Sequence, residues 1–344
     1  MMKKRLVSVA VVAAATLTLA VQATGSPSSS EVSSATTVTI DIVPVLRTQK
    51  VQRITLKKPA ERYQLGFVVP LLSEPGEGSV AAGAQKVAKI AGVKMDVQDA
   101  QLDVNKQVQL ADSMLGRGYD GIMTIDLFAH TMDAFYKRAD AKKVPNVTQY
   151  SSRPAAVQED WRIPGRDAVQ IILKRFPRGA TGVMLSDTPA PVIKNRERGF
   201  RLAVKKTNGK IKVLTLKRNL KETLDEARAI AETLLQTYPD IDFVWGSNDI
   251  QALGAGLAAK AADKTLIITG MNGQPEGVDA VKKGLITATW DANQNAAGEY
   301  MAIHLLRWIE TGKAPKRLLL PFTRIDKSNA SKYIPWPERA KIKR

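Results

Sequence analysis

The run FVWGSNDIQALGAGLAAK, residues 243–260, ends an apolar stretch in Ser247-Asn248-Asp249 and begins a helix of small residues at once. Asn or Asp at such a junction accepts hydrogen bonds from free helix N–H groups, and one residue suffices for that. The second polar side chain is then available for other chemistry. An amide offers donors and an acceptor together, a carboxylate acceptors only. Upstream, the helix pattern VIKNRERGF carries Arg196 and Arg198, whose guanidinium forks can grip vicinal hydroxyls or a carboxylate. A further apolar run, LIITGMN, ends in Asn272. Catalytic patterns do not accompany these groups. Gly246-Ser247 lacks the surroundings of a nucleophile elbow, no GxxxxGK[ST] phosphate loop occurs, and GMNGQPEG does not have dinucleotide-binding spacing. The only histidines, His130 and His304, are far apart in sequence, and there is no cysteine. Neither a metal site, nor a histidine triad, nor a cofactor is expected.

The elements that must position these groups read clearly from Arg62 onward. RYQLGFVVP, KMDVQDA, GIMTID and NVTQYSS have the length and apolar content of buried strands, and helical patterns separate them. After Trp161-Arg162 the rhythm restarts with RDAVQIILKRF as a helix, then TGVMLSD, IKVLTLK, FVWGSN, LIITGMN and ITATWDA as strands with helices between them. ITATWDA is expected to be the last regular strand before the long helix AAGEYMAIHLLRWIETG. Strand–helix alternation with short links predicts an α/β fold with parallel sheets covered on both faces, and the number of units suits two doubly wound, Rossmann-like sheets. Ligands of such sheets bind beyond the carboxyl ends of the strands, where Asn248 and Asp249 lie.

The N-terminus predicts a different fate. MMKKR followed by LVSVAVVAAATLTLAV, with Val21-Gln22-Ala23 at the cleavage position, reads as a signal peptide over residues 1–23. With no cysteine there is no lipid-anchor site, so export into a periplasm is expected. Residues 24–61 read as a Ser-rich linker and an extension with partial two-residue alternation, one or two strands interrupted at Pro44. The formal charge of +18 falls to +15 without residues 1–23. The basic residues are spread along the chain and cluster only at Lys57-Lys58, Lys205-Lys206 and the end, residues 335–344, which reads as a basic tail. A solvated basic surface is therefore expected, and no nucleic-acid partner.

FVWGSNDIQALGAGLAAK, LIITGMNGQPEGVDAVKKGLITATW and AAGEYMAIHLLRWIETGKAPK, in that order after VIKNRERGF, resemble the type I periplasmic solute-binding proteins of the ribose-binding kind. The resemblance implies a monomer of two similar lobes joined by a multi-strand hinge, closing on a small ligand. The lobes would comprise residues 62–150 with 293–321, and 151–292 with 322–334. The partner it implies is an ABC permease, or alternatively a membrane sensor kinase or chemoreceptor. Carried across by position, the family's ligand-binding asparagine falls on Asn248 and its arginine on Arg196, with Arg198 as the neighbouring alternative. Sugar-binding members present an aspartate where this chain has Asn272, and a glutamine is common where it has Ala292. The first-strand loop PLLSEPGEGS lacks the aromatic ring of sugar binders, leaving Ser73 and Glu74 as its polar candidates. The position before LDEARAI that often carries Trp or Phe lies in NLKET. On the third strand the contact is Asp126 or Phe128. Trp161 at the crossover and Trp290 on the hinge strand are candidates to replace the missing rings.

Overall fold

The structure is a computed structural model that describes residues 37–126, 128 and 130–342. The expected signal peptide and the Ser-rich linker lie outside the described residues. The first elements form a hairpin: β1 (Thr37–Ile42) pairs antiparallel with β2 (Gln52–Lys57), so the partial alternation of this extension is that of two strands.

Two six-stranded sheets follow. The first contains β3 (Gln64–Val69), β4 (Lys94–Asp99), β5 (Gly121–Ile125), β6 (Asn146–Gln149) and β7 (Ala156–Glu159). Between these strands run α1 (Pro75–Ala91), α2 (Val104–Gly116) and α3 (Asp133–Ala141). The chain then passes to the second sheet through α4 (Arg162–Arg175), β8 (Ala180–Ser186), α5 (Pro191–Lys205), β9 (Ile211–Arg218) and α6 (Leu224–Thr237). It continues with β10 (Phe243–Gly246), α7 (Asp249–Ala261), β11 (Ile267–Thr269), α8 (Pro275–Lys282) and β12 (Ala288–Asp291). The long helix α9 (Gln294–Thr311) and β13 (Leu318–Leu320) return to the first sheet, and β14 (Thr323–Asp326) and α10 (Trp336–Arg339) end the described fold. The strand orders are β13-β7-β6-β5-β3-β4 and β14-β12-β11-β10-β8-β9, parallel throughout except that β14 runs antiparallel to β12.

Alternation within the strands shows why both faces are covered. Leu65, Phe67 and Val69 of β3 pack with α1 and α9, while Val68 points to the opposite core with Met114, Phe135 and Tyr136. In β10, Phe243 and Trp245 face the α4–α5 side and Val244 faces α6 and α7. Strands buried on both faces read as unbroken apolar runs, as these do.

Three details differ from the sequence reading. β7, which the boundary after residue 150 assigns to the second lobe, pairs with β6 and β13 in the first sheet. ITATWDA is the last strand before the long helix, but two short strands that the sequence reading did not name, the three-residue β13 and four-residue β14, follow α9, one in each sheet. Residues 335–344 are not simply a solvated basic tail. Trp336 and Arg339 in α10 are buried, since Arg339 finds a carboxylate partner inside the protein.

The chain passes between the sheets three times, after β7, after β12 and after β13. β13 lies beside β7 and β14 beside β12, so the crossing between β13 and β14 runs next to both of the others.

Candidate functional site

Polar side chains gather at the carboxyl ends of the strands. Asp126 follows β5, Gln149 ends β6, Asp187 follows β8, Asn248 caps the helix after β10, and Asn272 sits in the loop after β11. The strand ends of the two sheets face each other across a cleft of about 390 Å³, and all five residues line it. This is where open α/β sheets bind ligands.

On the second lobe, Asn248 answers the question posed by its junction. Its Oδ1 accepts from Gln251 N at 3.0 Å, capping α7, while its Nδ2 donates to Asp187 Oδ2 at 2.8 Å. One amide therefore serves as both cap and cleft wall. Asp249, the next residue, turns away from the cleft. It accepts from Gln274 N at 2.8 Å and tethers the loop after β11, and burial pushes its carboxyl up to about 7. Asp187 is held by Ser247 Oγ at 2.8 Å and by Gln251 Nε2, and burial raises its carboxyl above the usual range.

Arg196 is 5% exposed. Nη1 donates to Ser247 O at 2.9 Å and Nη2 to Asn272 Oδ1 at 2.7 Å, so two neutral oxygens orient the fork. Arg198 points elsewhere and is exposed, because Ile193, Arg196, Glu197 and Phe200 form the buried face of α5. The choice between the two arginines thus falls to Arg196. Asn272, at φ 107°, commits its oxygen to Arg196, which leaves the amide donors as its free hydrogen-bonding group.

On the first lobe, three hydroxyls converge on Asp126 Oδ1: Thr124 at 3.0 Å, Thr148 at 2.9 Å and Tyr136. Burial raises the Asp126 carboxyl, and the hydroxyls oppose that shift. Both Asp126 and Phe128 line the cleft, so the sequence alternatives coexist. Glu74 caps α1 by accepting from Glu77 N at 2.7 Å and also lines the cleft. Glu77 beside it accepts from Leu71 N at 2.6 Å, and burial pushes its carboxyl up to about 8.

Three predicted residues do not reach the cleft. Ser73 is exposed on the loop outside it. Trp290 is fully buried among Met184, Phe243 and Met271, because the alternation of β12 sends its ring to the α4–α5 side. Its Nε1 donates to Asp167 Oδ2 at 3.4 Å. Trp161 stands behind the wall, with its ring 4.5 Å from the Arg196 guanidinium and 4.7 Å from Phe322, so it supports Arg196 from the far side. Ala292 is buried at the crossing after β12.

Sequence reasoning missed Gln149, Tyr150, Asp187, Glu222 and Trp336, which all line the cleft. Asp187 and Gln149 carried a usable signal, a polar residue ending an apolar strand in parallel with Asn248. Glu222 lies in NLKET, so this chain has a carboxylate in the loop where a ring was sought. Tyr150 and Trp336 carried no local signal, since their rings reach the cleft only through tertiary packing.

Residues 65–314 match the family described as the periplasmic binding protein domain. The ribose import binding protein of Bacillus subtilis is 27% identical over 235 residues, covering 67% of this chain and 76% of that protein. The D-apiose import binding protein of Paraburkholderia graminis is 24% identical over 281 residues, covering 78% and 88%. Among solved structures, the Caulobacter myo-inositol binding protein bound to myo-inositol superposes with a TM-score of 0.71 at 20% identity, covering 80% of this chain and 97% of its own. An ABC transporter solute binding protein from Burkholderia graminis in complex with D-arabinose gives 0.73 at 19% identity, covering 80% and 99%. These likenesses show two α/β lobes with mainly parallel sheets, as the strand pattern predicts.

Proposed function

The chain belongs to the periplasmic binding protein domain family, and we propose that it binds a small polyhydroxylated solute, a sugar or sugar-like compound, in the interlobe cleft and delivers it to an ABC importer. The observation that carries this reading is the chemistry of the two walls. Carboxylates from both lobes, Glu74 and Asp126 on one and Asp187 and Glu222 on the other, offer acceptors to hydroxyl protons. Arg196 and the amide of Asn272 offer donors to hydroxyl and ring oxygens. Relatives named for ribose and D-apiose import support the ligand class and the importer. Export to a periplasm follows from the family and from the signal-peptide pattern of residues 1–23. The protein acts as a monomer that closes on its ligand, the closed form being favoured by contacts that the open form lacks.

A thermal-shift screen of the chain from residue 24 onward tests this. The panel holds D-ribose, D-apiose, D-arabinose, D-allose, myo-inositol, nucleosides and small organic acids. A ligand at a hundred times its dissociation constant is expected to add roughly 2.7 kcal/mol. Arg196→Ala and Asn248→Ala are each expected to weaken binding by about 1–3 kcal/mol, because ligand groups are left unpaired. A shift confined to nucleosides or organic acids would overturn the sugar reading, and unchanged affinity in both variants would overturn the site.

A further inference from the structure

The family match ends at residue 314, yet Trp336 lines the cleft from beyond it. We propose that α10 belongs to the ligand site. Trp336 forms the hinge-side wall of the cleft, and Arg339 is the positioning residue that locks this wall to the interlobe crossing. The proposal rests on the sugar-binding reading for the class of ligand and goes beyond it in the residues it assigns.

The geometry is continuous from cleft to core. Trp336 Nε1 donates to Asp291 Oδ2 at 3.0 Å. Asp291 is the last residue of β12, at the crossing where the chain leaves the second sheet. Arg339 holds the same carboxylate through Nη2 at 2.6 Å and Nη1 at 3.1 Å, and both side chains are fully buried. A two-pronged Arg–carboxylate contact fixes direction as well as distance. Arg339 Nε donates to Ile334 O at 2.7 Å, which ties the turn to the segment before it. Its carbonyl accepts from Lys86 Nζ of α1 at 3.4 Å. Lys86 in turn pairs with Glu299 of α9 at 2.6 Å and donates to Asp41 O of β1 at 2.7 Å. One network thus joins α10, the crossing, both central helices of the first lobe and the N-terminal hairpin.

The chemistry that Trp336 brings is limited by the same bonds. Its only N–H is engaged by Asp291, so the indole can offer a ligand no hydrogen bond. What remains is carbon surface. That suits a ligand with a C–H face, such as a pyranose or cyclitol ring, whose hydroxyls meet the carboxylates of the walls. Gln294 at the start of α9 also lines the cleft and accepts from Gln149 Nε2 at 3.5 Å, so a polar bridge between first-lobe residues is part of the same walls.

Titration calorimetry with the panel sugar or cyclitol that stabilises the wild type is the test. Trp336→Leu is expected to weaken binding at least tenfold while melting cooperatively without ligand. Trp336→Phe is expected to recover most of the loss, and Trp308→Leu, on a half-buried ring of α9 that does not line the cleft, to bind within twofold of wild type. Arg339→Met is expected to weaken binding as Trp336→Leu does, and to speed amide hydrogen exchange at residues 291–295 in the absence of ligand. Binding by Trp336→Leu and Trp336→Phe within twofold of wild type would overturn the wall. Faster exchange confined to residues 334–342 would overturn the positioning role. If the wild type binds no sugar or cyclitol, the sugar-binding reading fails and the ligand wall with it, while the exchange measurement still decides the positioning role.

Discussion

Glu159 ends β7 with its carboxyl buried and only one of its oxygens, Oε1, bonded, to Gln149 Nε2 at 2.8 Å. Burial pushes it from an ordinary 4.5 up to about 7. The folded protein therefore binds this proton more tightly than the unfolded chain does. The resulting stability is fully present below about pH 4.5 and is lost as pH rises through about 7. Urea unfolding of wild type and Glu159→Gln at pH 5 and pH 8 is expected to show the variant gaining on wild type by on the order of 1–3 kcal/mol at the higher pH. An equal difference at both pH values would mean that Glu159 does not titrate in this range. At this scale the sequence revealed residues whose position in a motif fixed their direction. Asn248 and Arg196 were reached through the family resemblance, position by position, and only the packed face of α5, which buries Arg196 and exposes Arg198, separates the two arginines. Trp290 was not legible, because alternation in a strand buried on both faces does not say whether a ring packs in a core or reaches the cleft at the strand's end.

The packing of α1 on α9 is the tightest joint between elements. A Cβ built on Gly298 would lie 1.8 Å from Val80 O, and one on Gly83 would lie 2.0 Å from Asn295 O. The two helices touch backbone to backbone, which explains the small-residue text of SVAAGA and AAGEYMA. Gly298→Ala would force them apart. It is expected to cost roughly 3 kcal/mol by chemical denaturation, the upper end for overpacking, and a loss below about 0.5 kcal/mol would show that the joint can yield. Long elements of this kind were legible from periodicity. β7, β13 and β14 were not, because three or four residues hold too little pattern to separate a strand from a loop. Their pairing is set by partners far along the chain, and so the lobe boundary after residue 150 missed β7.

Across the molecule, the N-terminal hairpin serves both lobes. Ile40, Ile42, Ile54 and Leu56 pack in the core of α1 and α9, while Val45 and Leu46 join the core of the second lobe with Tyr333 and Trp336. Arg47 N and Ile334 N close the seam through Lys332 O at 2.8 Å and Val45 O at 2.9 Å. Leu46→Ala is expected to cost roughly 2–4 kcal/mol and to broaden or split a calorimetric transition expected to be single in the wild type. An unchanged transition would mean that the hairpin does not couple the lobes. The sequence marked this extension as strand-like but gave no sign of where it docks, since docking depends on two cores far from it in the chain. The three adjacent crossings between the sheets carry a mechanical consequence. Side-by-side covalent links resist sliding more than they resist rotation, so the crossings favour motion of the lobes as an angle about the line they form. A change that biases this angle alone scales the affinity of every ligand by the same factor, and leaves their rank order to the side chains of the walls.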